Sequence, residues 1–513
     1  MTKIGLEIHC QLTKLESKLF CSCKANYREF EPNHNICPVC MGLPGSLPRL
    51  NQKAVESATS IAMALNCQTP EKIAFFRKNY FYPDLPKNFQ ITQLNVYGDM
   101  SVGGEGYVDV EGKKIKIRRI QLEEDPGRLI YEGASDRTKI TLVDYNRAGT
   151  PLVEIVTDPD FDNPRQVRLF LNILSDLLEN LGVAEPGLEG AMRADGNVSI
   201  EGGNKVEIKN IGSFHDLEKA LHFELTRQQS LAERDIEIAM ETRHWDDRRK
   251  ITISSRSKEE DQDYRYFLEN DIPWVKIEQN TRDVLKENMP ESISSKKERY
   301  VQKFDIAPQV AEIIASDRYY SQLFENAYSE HNAKDIANLI TTDVIGFIDT
   351  KEKQQKSKIT PKHLSDLIDA INAKTITRNS AKVALQEIVN SGKDTKTILE
   401  EMDLGQVSDS SEIDAIISQI FEDEKQAVID AKERPETVNF LVGKVMQKTK
   451  GKADPVKTLE LIKSKLNLTI GCKDIFAASS GEKQRSRKFC SFFLISCFLY
   501  HNIFYPTHNS PFP

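Results

Sequence analysis

Positive charge is not in excess in this chain: 69 Lys and Arg stand against 77 Asp and Glu, a formal net charge of −8 over 513 residues. That balance excludes a uniformly basic nucleic-acid coat while leaving room for a local basic patch. The N-terminus, Met-Thr-Lys-Ile-Gly-Leu-Glu-Ile-His, has no basic segment followed by an apolar one, so the expected location is cytoplasmic. The apolar run Phe489–Tyr500 is shorter than the ~20 residues an α-helical membrane span needs, and no membrane is expected as a partner. Gly-x₄-Gly-Lys-Ser/Thr and the Gly-rich dinucleotide fingerprint are both missing, so any ATP must be held by another arrangement. No segment repeats at a fixed period.

What is present reads as a globular protein: hydrophobic residues make up 39% and charged residues 28%. The length exceeds a single core, and roughly three domains are expected. Up to about residue 285, short alternating runs such as Lys3–Leu12, Lys114–Leu122, Lys139–Asp144, Leu152–Val156 and Asn197–Ile200 predict strands. Gln52–Leu65, Pro164–Leu181 and Asp216–Glu233 predict helices between them. Strands and helices mixed without a regular βαβ period give an α+β class. From about Asp283 the pattern turns helical, with apolar residues at helical spacing in Arg318–Asn332, Pro361–Ile371 and Ser380–Val389. Gly405-Gln406 and Ser408–Ser411 mark a break before a last helical module. The expected domains are 1–287, 288–402 and 403–467, followed by an atypical extension, 468–513, expected to be unstructured.

Nine cysteines is an odd number, and six of them fall within the first 67 residues. In a reducing compartment this favours a metal cluster over disulfides. Cys21-Ser-Cys23, thirteen further residues, then Cys37-Pro-Val-Cys40-Met-Gly form two thiolate pairs on tight turns, which suits a closed, structural zinc site. His34, in the intervening loop, is an alternative to one sulfur, and four free buried thiols are the other reading.

On the first strand Glu7 and His9 share one face, opposite Ile4, Leu6 and Ile8. Gln121-Leu-Glu123-Glu124-Asp125 places three acids in a row, which repel unless a cation neutralises them. Met192-Arg193-Ala-Asp195-Gly-Asn197 adds a further carboxylate, with Arg193, Asp195 and Asn197 on one strand face. Oxygen ligands with a single imidazole suit Mg²⁺ or Mn²⁺ better than zinc. Lys78-Asn-Tyr-Phe-Tyr-Pro-Asp-Leu-Pro-Lys87 reads as a rigid loop presenting cations between aromatics.

Taken in order, Gly5-Leu-Glu-Ile-His9, the cysteine pairs, Arg77-Lys-Asn-Tyr-Phe-Tyr-Pro-Asp-Leu-Pro-Lys87 and Leu122-Glu-Glu-Asp125 form a set. It continues through Asp144-Tyr-Asn-Arg-Ala-Gly-Thr-Pro-Leu152, Met192–Asn197, Glu207-Ile-Lys-Asn210, Glu259–Phe267, Asn439–Met446 and Lys450–Pro455. This set resembles the B-subunit family of tRNA-dependent amidotransferases, from residue 3 to about 467. The resemblance implies a cradle-like catalytic domain over 1–287 and a ligase forming a carbon–nitrogen bond. That ligase uses ATP to phosphorylate the side-chain carboxylate of Glu-tRNA(Gln) or Asp-tRNA(Asn). Ammonia from glutamine then displaces the phosphate. An amidase A subunit and a small C subunit are the implied partners in a heterotrimer. By the same resemblance Glu7, His9, Glu123, Glu124 and Asp195 are the expected Mg²⁺ shell that presents ATP. Lys78 and Lys87, on the cation-presenting loop, are expected on our own reading to contact phosphate and to line the mouth of the ammonia path. Pro126 and Arg128 depart from the family's usual Ala and Lys without removing a proposed ligand.

Between Leu441 and Leu466 seven lysines face only Asp454 and Glu460, a local net of +5. The resemblance makes Lys444, Lys448, Lys450 and Lys452 the expected contacts to tRNA phosphates. Two rival readings use the same residues: a self-contained metal-dependent phosphohydrolase, and a zinc-stabilised tRNA-binding scaffold whose chemistry lies in a partner.

Overall fold

The computed structural model describes residues 2–95, 98–131, 140–257, 263–329, 332–405, 410–434, 437–449 and 452–466. The extension 468–513, with Cys472, Cys490 and Cys497, lies outside the described residues, as does Lys450. The chain forms two compact units that divide between Gln322 and Leu323.

Fifteen strands are described in the first unit. In chain order they are β1 (Lys3–Gln11), β2 (Lys72–Ile73), β3 (Phe76–Asn79), β4 (Phe89–Thr92) and β5 (Gly106–Val110). They continue with β6 (Lys113–Glu124), β7 (Arg128–Tyr131), β8 (Thr141–Asp144), β9 (Pro151–Thr157) and β10 (Met192–Ser199). The last five are β11 (Val206–Lys209), β12 (Glu241–Asp246), β13 (Ile251–Ser257), β14 (Phe267–Leu268) and β15 (Val275–Lys276). Eight of them form the central sheet, in the order β13-β12-β11-β10-β1-β9-β6-β5. A small sheet, β14-β3-β4, stands beside it, and two two-stranded pairs complete the set.

The central sheet has one apolar and one polar face because β1 alternates strictly. Ile4, Leu6, Ile8 and Cys10 are fully buried on the apolar face, with Ile120, Leu122, Val153, Ile155 and Val198 from the neighbouring strands. Three helices cover this face: α1 (Gln52–Ala64), α2 (Pro164–Leu181) and α3 (Phe214–Ala232). The limits of α2 coincide with the sequence reading, and local chemistry explains why. Asn163 accepts a hydrogen bond from the Gln166 N–H at the start, Pro164 opens the first turn, and Gly182 closes the helix at φ 71°. Ser213 caps α3 in the same way through the Asp216 N–H. The stripe Val167, Phe170, Leu171, Leu174 and Leu178 is buried, each side chain contributing about 1.5–3 kcal/mol of transfer free energy.

The α+β reading of this half and the helical reading of the remainder both hold; each of the five expected strands overlaps a described one, with Asn197–Ile200 belonging to the longer Met192–Ser199 and Lys139 lying outside the described residues. The expected helix over Arg318–Asn332 is shorter and stops at Ala327, after which the Asn332 side chain accepts the Ser329 N–H in a turn. In the second unit Ser410–Asp423, Lys425–Glu433, Val438–Lys448 and Pro455–Leu466 are helical around a core of Ile413, Ile417, Leu441, Val445 and Ile462. No described helix is long and apolar enough to cross a membrane.

Candidate active site and metal centres

Register places the polar side chains. His9 on β1 pairs with Glu154 on β9 and with Arg193 on β10; Glu7 pairs with Asp195; Glu154 pairs with Gln121 on β6. Paired positions in an antiparallel ladder point to the same face, so these side chains gather on the side of the sheet opposite the helices. His9, Glu123 and Glu154 bring ligand atoms within 4.8 Å of one another. The His9 Nε2 lies 3.8 Å from Glu123 Oε1 and 3.8 Å from Glu7 Oε1.

The group is electrostatically unbalanced. Burial, then the neighbouring Glu154, push the Glu123 carboxyl up to about 8. Burial and the charge of Glu7 raise Glu154 as well. Burial, reinforced by Arg193, lowers the His9 imidazole to about 4, so it is neutral near pH 7. Two buried carboxyls and a neutral imidazole are a donor set whose repulsion a divalent cation relieves.

The run Glu123-Glu124-Asp125 is resolved by sending its three acids to three different partners. Glu123 accepts a hydrogen bond from the Thr92 hydroxyl at 2.8 Å. Glu124 accepts the Ile91 N–H at 2.9 Å and pairs with Lys87 Nζ at 2.5 Å. Asp125 accepts from Gln11 Nε2 at 2.5 Å and from Arg193 at 3.0 Å. Burial opposes the Asp125 charge, but the Arg193 and Arg147 guanidiniums prevail and hold its pKa below the ordinary value. Of the five metal-shell residues expected from sequence, the structure therefore groups His9 and Glu123, with Glu7 at the edge. Glu124 turns to Lys87, and Asp195 is engaged by Lys209 Nζ at 3.2 Å.

Lys87 and Glu124 line a cavity of about 310 Å³ walled by Cys21, Cys40, Gly42, Arg77 and Phe89. Gly42 sits at φ +63°, and a Cβ there would overlap Lys87 Cγ, so glycine is what lets the lysine stem pass. Lys78 is elsewhere: its Nζ lies 4.8 Å from the Tyr264 ring centre and 5.7 Å from that of Tyr80. Burial opposes its charge, yet Glu123 and the rest of the acid group hold its pKa above the ordinary lysine value.

The four sulfurs of Cys21, Cys23, Cys37 and Cys40 also lie within 4.8 Å of one another, and His34 is not among them. A tetrahedral zinc with Zn–S of about 2.3 Å spaces its sulfurs about 3.8 Å apart, so the cluster fits that ion. Hydrogen bonding from Cys21, with help from the Lys18 charge, draws the Cys40 thiol down to about 5, while Cys21 is pushed up by its bond to Cys40 and by burial. Cys40 Sγ accepts the Cys37 N–H at 3.1 Å. Cys10 belongs to neither cluster; it is buried on the apolar face, and burial pushes it up to about 12.

In the second unit three of the expected tRNA-contacting lysines are already paired. Lys444 holds Glu424 at 2.7 Å, Lys448 holds Asp423 at 2.9 Å, and Lys452 pairs with Asp403. Counting charge along one segment missed these acids, which folding brings from outside it. Sequence reasoning also passed over Glu154, although one acid in the apolar run Pro151-Leu-Val-Glu-Ile-Val156 was a signal for a polar position.

The profile of the GatB/GatE catalytic domain matches residues 2–283, and that of the GatB domain matches 322–466. Three curated relatives are named as B subunits of an aspartyl/glutamyl-tRNA(Asn/Gln) amidotransferase. The Saccharolobus solfataricus protein is 42% identical over 472 residues, covering 91% of this chain and 100% of its own. The Thermotoga maritima protein is 40% identical over 478 residues, covering 90% of this chain and 98% of its own. The Carboxydothermus hydrogenoformans protein is 38% identical over 477 residues, again covering 90% and 98%.

Proposed function

The chain belongs to the family of tRNA-dependent amidotransferase B subunits, and on that premise we propose that it activates the side-chain carboxylate of Glu-tRNA(Gln) or Asp-tRNA(Asn) with ATP and directs its amidation. The observation that carries the reading is the His9, Glu123 and Glu154 group. Those residues, with Glu7 beside them, would hold Mg²⁺, which when bound withdraws charge from the phosphate oxygens of ATP. In this reading Glu7, His9 and Glu123 take the role expected of them from sequence, Glu154 joins them, and Asp195 acts through Lys209.

The carboxylate oxygen of the aminoacyl group attacks the γ-phosphorus, the bond to the β,γ-bridging oxygen breaks, and ADP departs. A carboxylate is a poor electrophile; as an acyl phosphate it accepts ammonia at carbon, inorganic phosphate leaves, and the nitrogen loses a proton. Lys78, whose charge is maintained by Glu123, faces the acyl phosphate. Lys87 and Glu124 line the route by which ammonia arrives. The four-cysteine knuckle holds a structural zinc whose loop forms one wall of that cavity. Ammonia is supplied by an amidase A subunit, with a small C subunit completing a heterotrimer in the cytoplasm. Residues 403–467 contact the tRNA body through Lys444, Lys448, Lys450 and Lys452.

The test uses the chain assembled with its amidase and linker subunits. His9→Ala or Glu123→Ala is expected to abolish formation of the amide from misacylated tRNA, ATP and free ammonium, while glutamine hydrolysis by the partner persists. Amide formation at the unsubstituted rate in either variant refutes the reading.

A further inference from the structure

Lys18 is fully buried and has no part in the acyl-transfer chemistry. Taking a lysine ammonium out of water is costly unless an anion and hydrogen-bond acceptors meet it. Its Nζ donates to the Asn35 carbonyl at 2.8 Å and to Cys40 Sγ at 3.8 Å. No carboxylate among the described residues forms an ion pair with it. Glu124, which lies across Gly149 from it, is taken by Lys87 at 2.5 Å. The charge that Lys18 faces is therefore carried by sulfur.

The same residue ties the two cysteine pairs together. Its backbone N–H donates to the Cys23 carbonyl at 2.9 Å and closes the turn that carries Cys21 and Cys23. Its side chain reaches Asn35, two residues before Cys37. Asn35 is fixed in turn: its N–H donates to the Asn146 side-chain oxygen at 2.7 Å, and its Nδ2 donates to the Lys24 carbonyl at 2.9 Å.

Charge gives the contact its purpose. A dication held by four thiolates is left with a double negative charge, and water can offset that only where the sulfurs are exposed. Cys21, Cys23 and Cys37 are partly exposed, whereas Cys40 is buried. Cys40 is also the sulfur that receives two donors, the neutral Cys37 N–H at 3.1 Å and the Lys18 ammonium. The cation thus stands at the one sulfur of the four that solvent does not reach.

We infer that Lys18 is the counter-ion of the cysteine knuckle, a positioning residue whose ammonium offsets charge at the buried sulfur and so keeps the metal in the cluster. The inference rests on the zinc reading above and adds to it a residue outside the four ligands that makes the site hold. Groups of this kind around a metal typically change its affinity by about 10–100-fold.

The test uses the full chain. Lys18→Gln removes the charge and leaves an amide that can donate to the Asn35 carbonyl. Zinc should pass from this variant to a colorimetric chelator with an affinity lowered about tenfold or more. With Co²⁺ in place of zinc, the sulfur-to-metal charge-transfer band should move to longer wavelength, because the cation no longer stabilises the sulfur lone pairs. The denaturation midpoint should fall further in the zinc-loaded variant than in the metal-free one, whereas loss of packing alone lowers both alike. A measurement on the unsubstituted chain needs no variant: an amine-modifying reagent should leave Lys18 unlabelled in the zinc-loaded form and label it after chelation. Unchanged zinc retention with an unmoved Co²⁺ band in Lys18→Gln overturns the role of Lys18 while leaving the knuckle standing. Labelling of Lys18 in the zinc-loaded chain as readily as surface lysines does the same. An unsubstituted chain that takes up neither zinc nor Co²⁺ overturns both.

Discussion

His9 on β1 and Glu154 on β9 are directly paired positions of adjacent antiparallel strands, and with Glu123 from β6 they bring three ligand atoms within 4.8 Å. The pairing makes the group a property of sheet register: a one-residue slip of β9 would send Glu154 to the apolar face.

Metal affinity should depend on pH with a definite sign. Glu123 is raised to about 8 and His9 lowered to about 4. His9 is therefore already neutral above about pH 5, and the proton that a cation must displace is the one on Glu123. Without metal, the folded state holds that proton more tightly than the unfolded chain, so this carboxyl subtracts stability as pH rises from the ordinary glutamate range to about 8. Mn²⁺ affinity should then rise up to about tenfold per pH unit between pH 6 and 8 and level off above. Calorimetric titrations at three pH values check this, and a flat affinity contradicts it.

Gly42→Ala places a methyl on top of Lys87 Cγ at a residue with φ +63°. The left-handed conformation alone costs about 1–2 kcal/mol, and the lysine is driven away from Glu124. Chemical denaturation should show that loss of stability, accompanied by reduced use of ammonia. An unchanged midpoint would mean that the loop relaxes freely.

Thiol chemistry separates the two kinds of cysteine in the first unit. Cys10 and Cys67 are both pushed up to about 12 by burial and should resist alkylation at pH 8 whether or not metal is present. Cys21, Cys23, Cys37 and Cys40 should become reactive only after chelation, with release of one zinc per chain. Four of these thiols reacting in untreated protein would contradict the zinc knuckle.

These same clusters show what was legible in sequence and what was not. The cysteine knuckle was readable because its ligands are close in the chain and their spacing is the signal. Glu7 and His9 were readable as one strand face because a strand has a period of two. Glu154 was not, since its partner on β1 lies more than a hundred residues upstream and only strand order makes them neighbours. Glu124 was read as a metal ligand with Glu123, but adjacent strand residues point to opposite faces, and Lys87 takes Glu124. The fold class was plain from patterning; the parallel β11-α3-β12 unit inside a mainly antiparallel sheet was not, because register leaves no mark on composition.

The lysines of the second unit give a prediction of both signs. Lys448→Ala should weaken tRNA binding and lower its salt slope by about one. Asp423→Asn, which removes the carboxylate holding Lys448 at 2.9 Å, should tighten binding at low salt. Filter binding across a salt series measures both, and opposite or null shifts would remove this face from the tRNA contact.

The most direct test of the central claim is amide formation by the assembled enzyme carrying Glu154→Gln, supplied with ATP, free ammonium and misacylated tRNA. The substitution keeps the shape of the side chain and removes the charge that completes the cation-holding group. The account predicts a fall in the rate of about 10²-fold or more, with glutamine hydrolysis by the partner within about twofold of the unsubstituted enzyme, roughly the scatter of additive effects. Amide formation at the unsubstituted rate would contradict it.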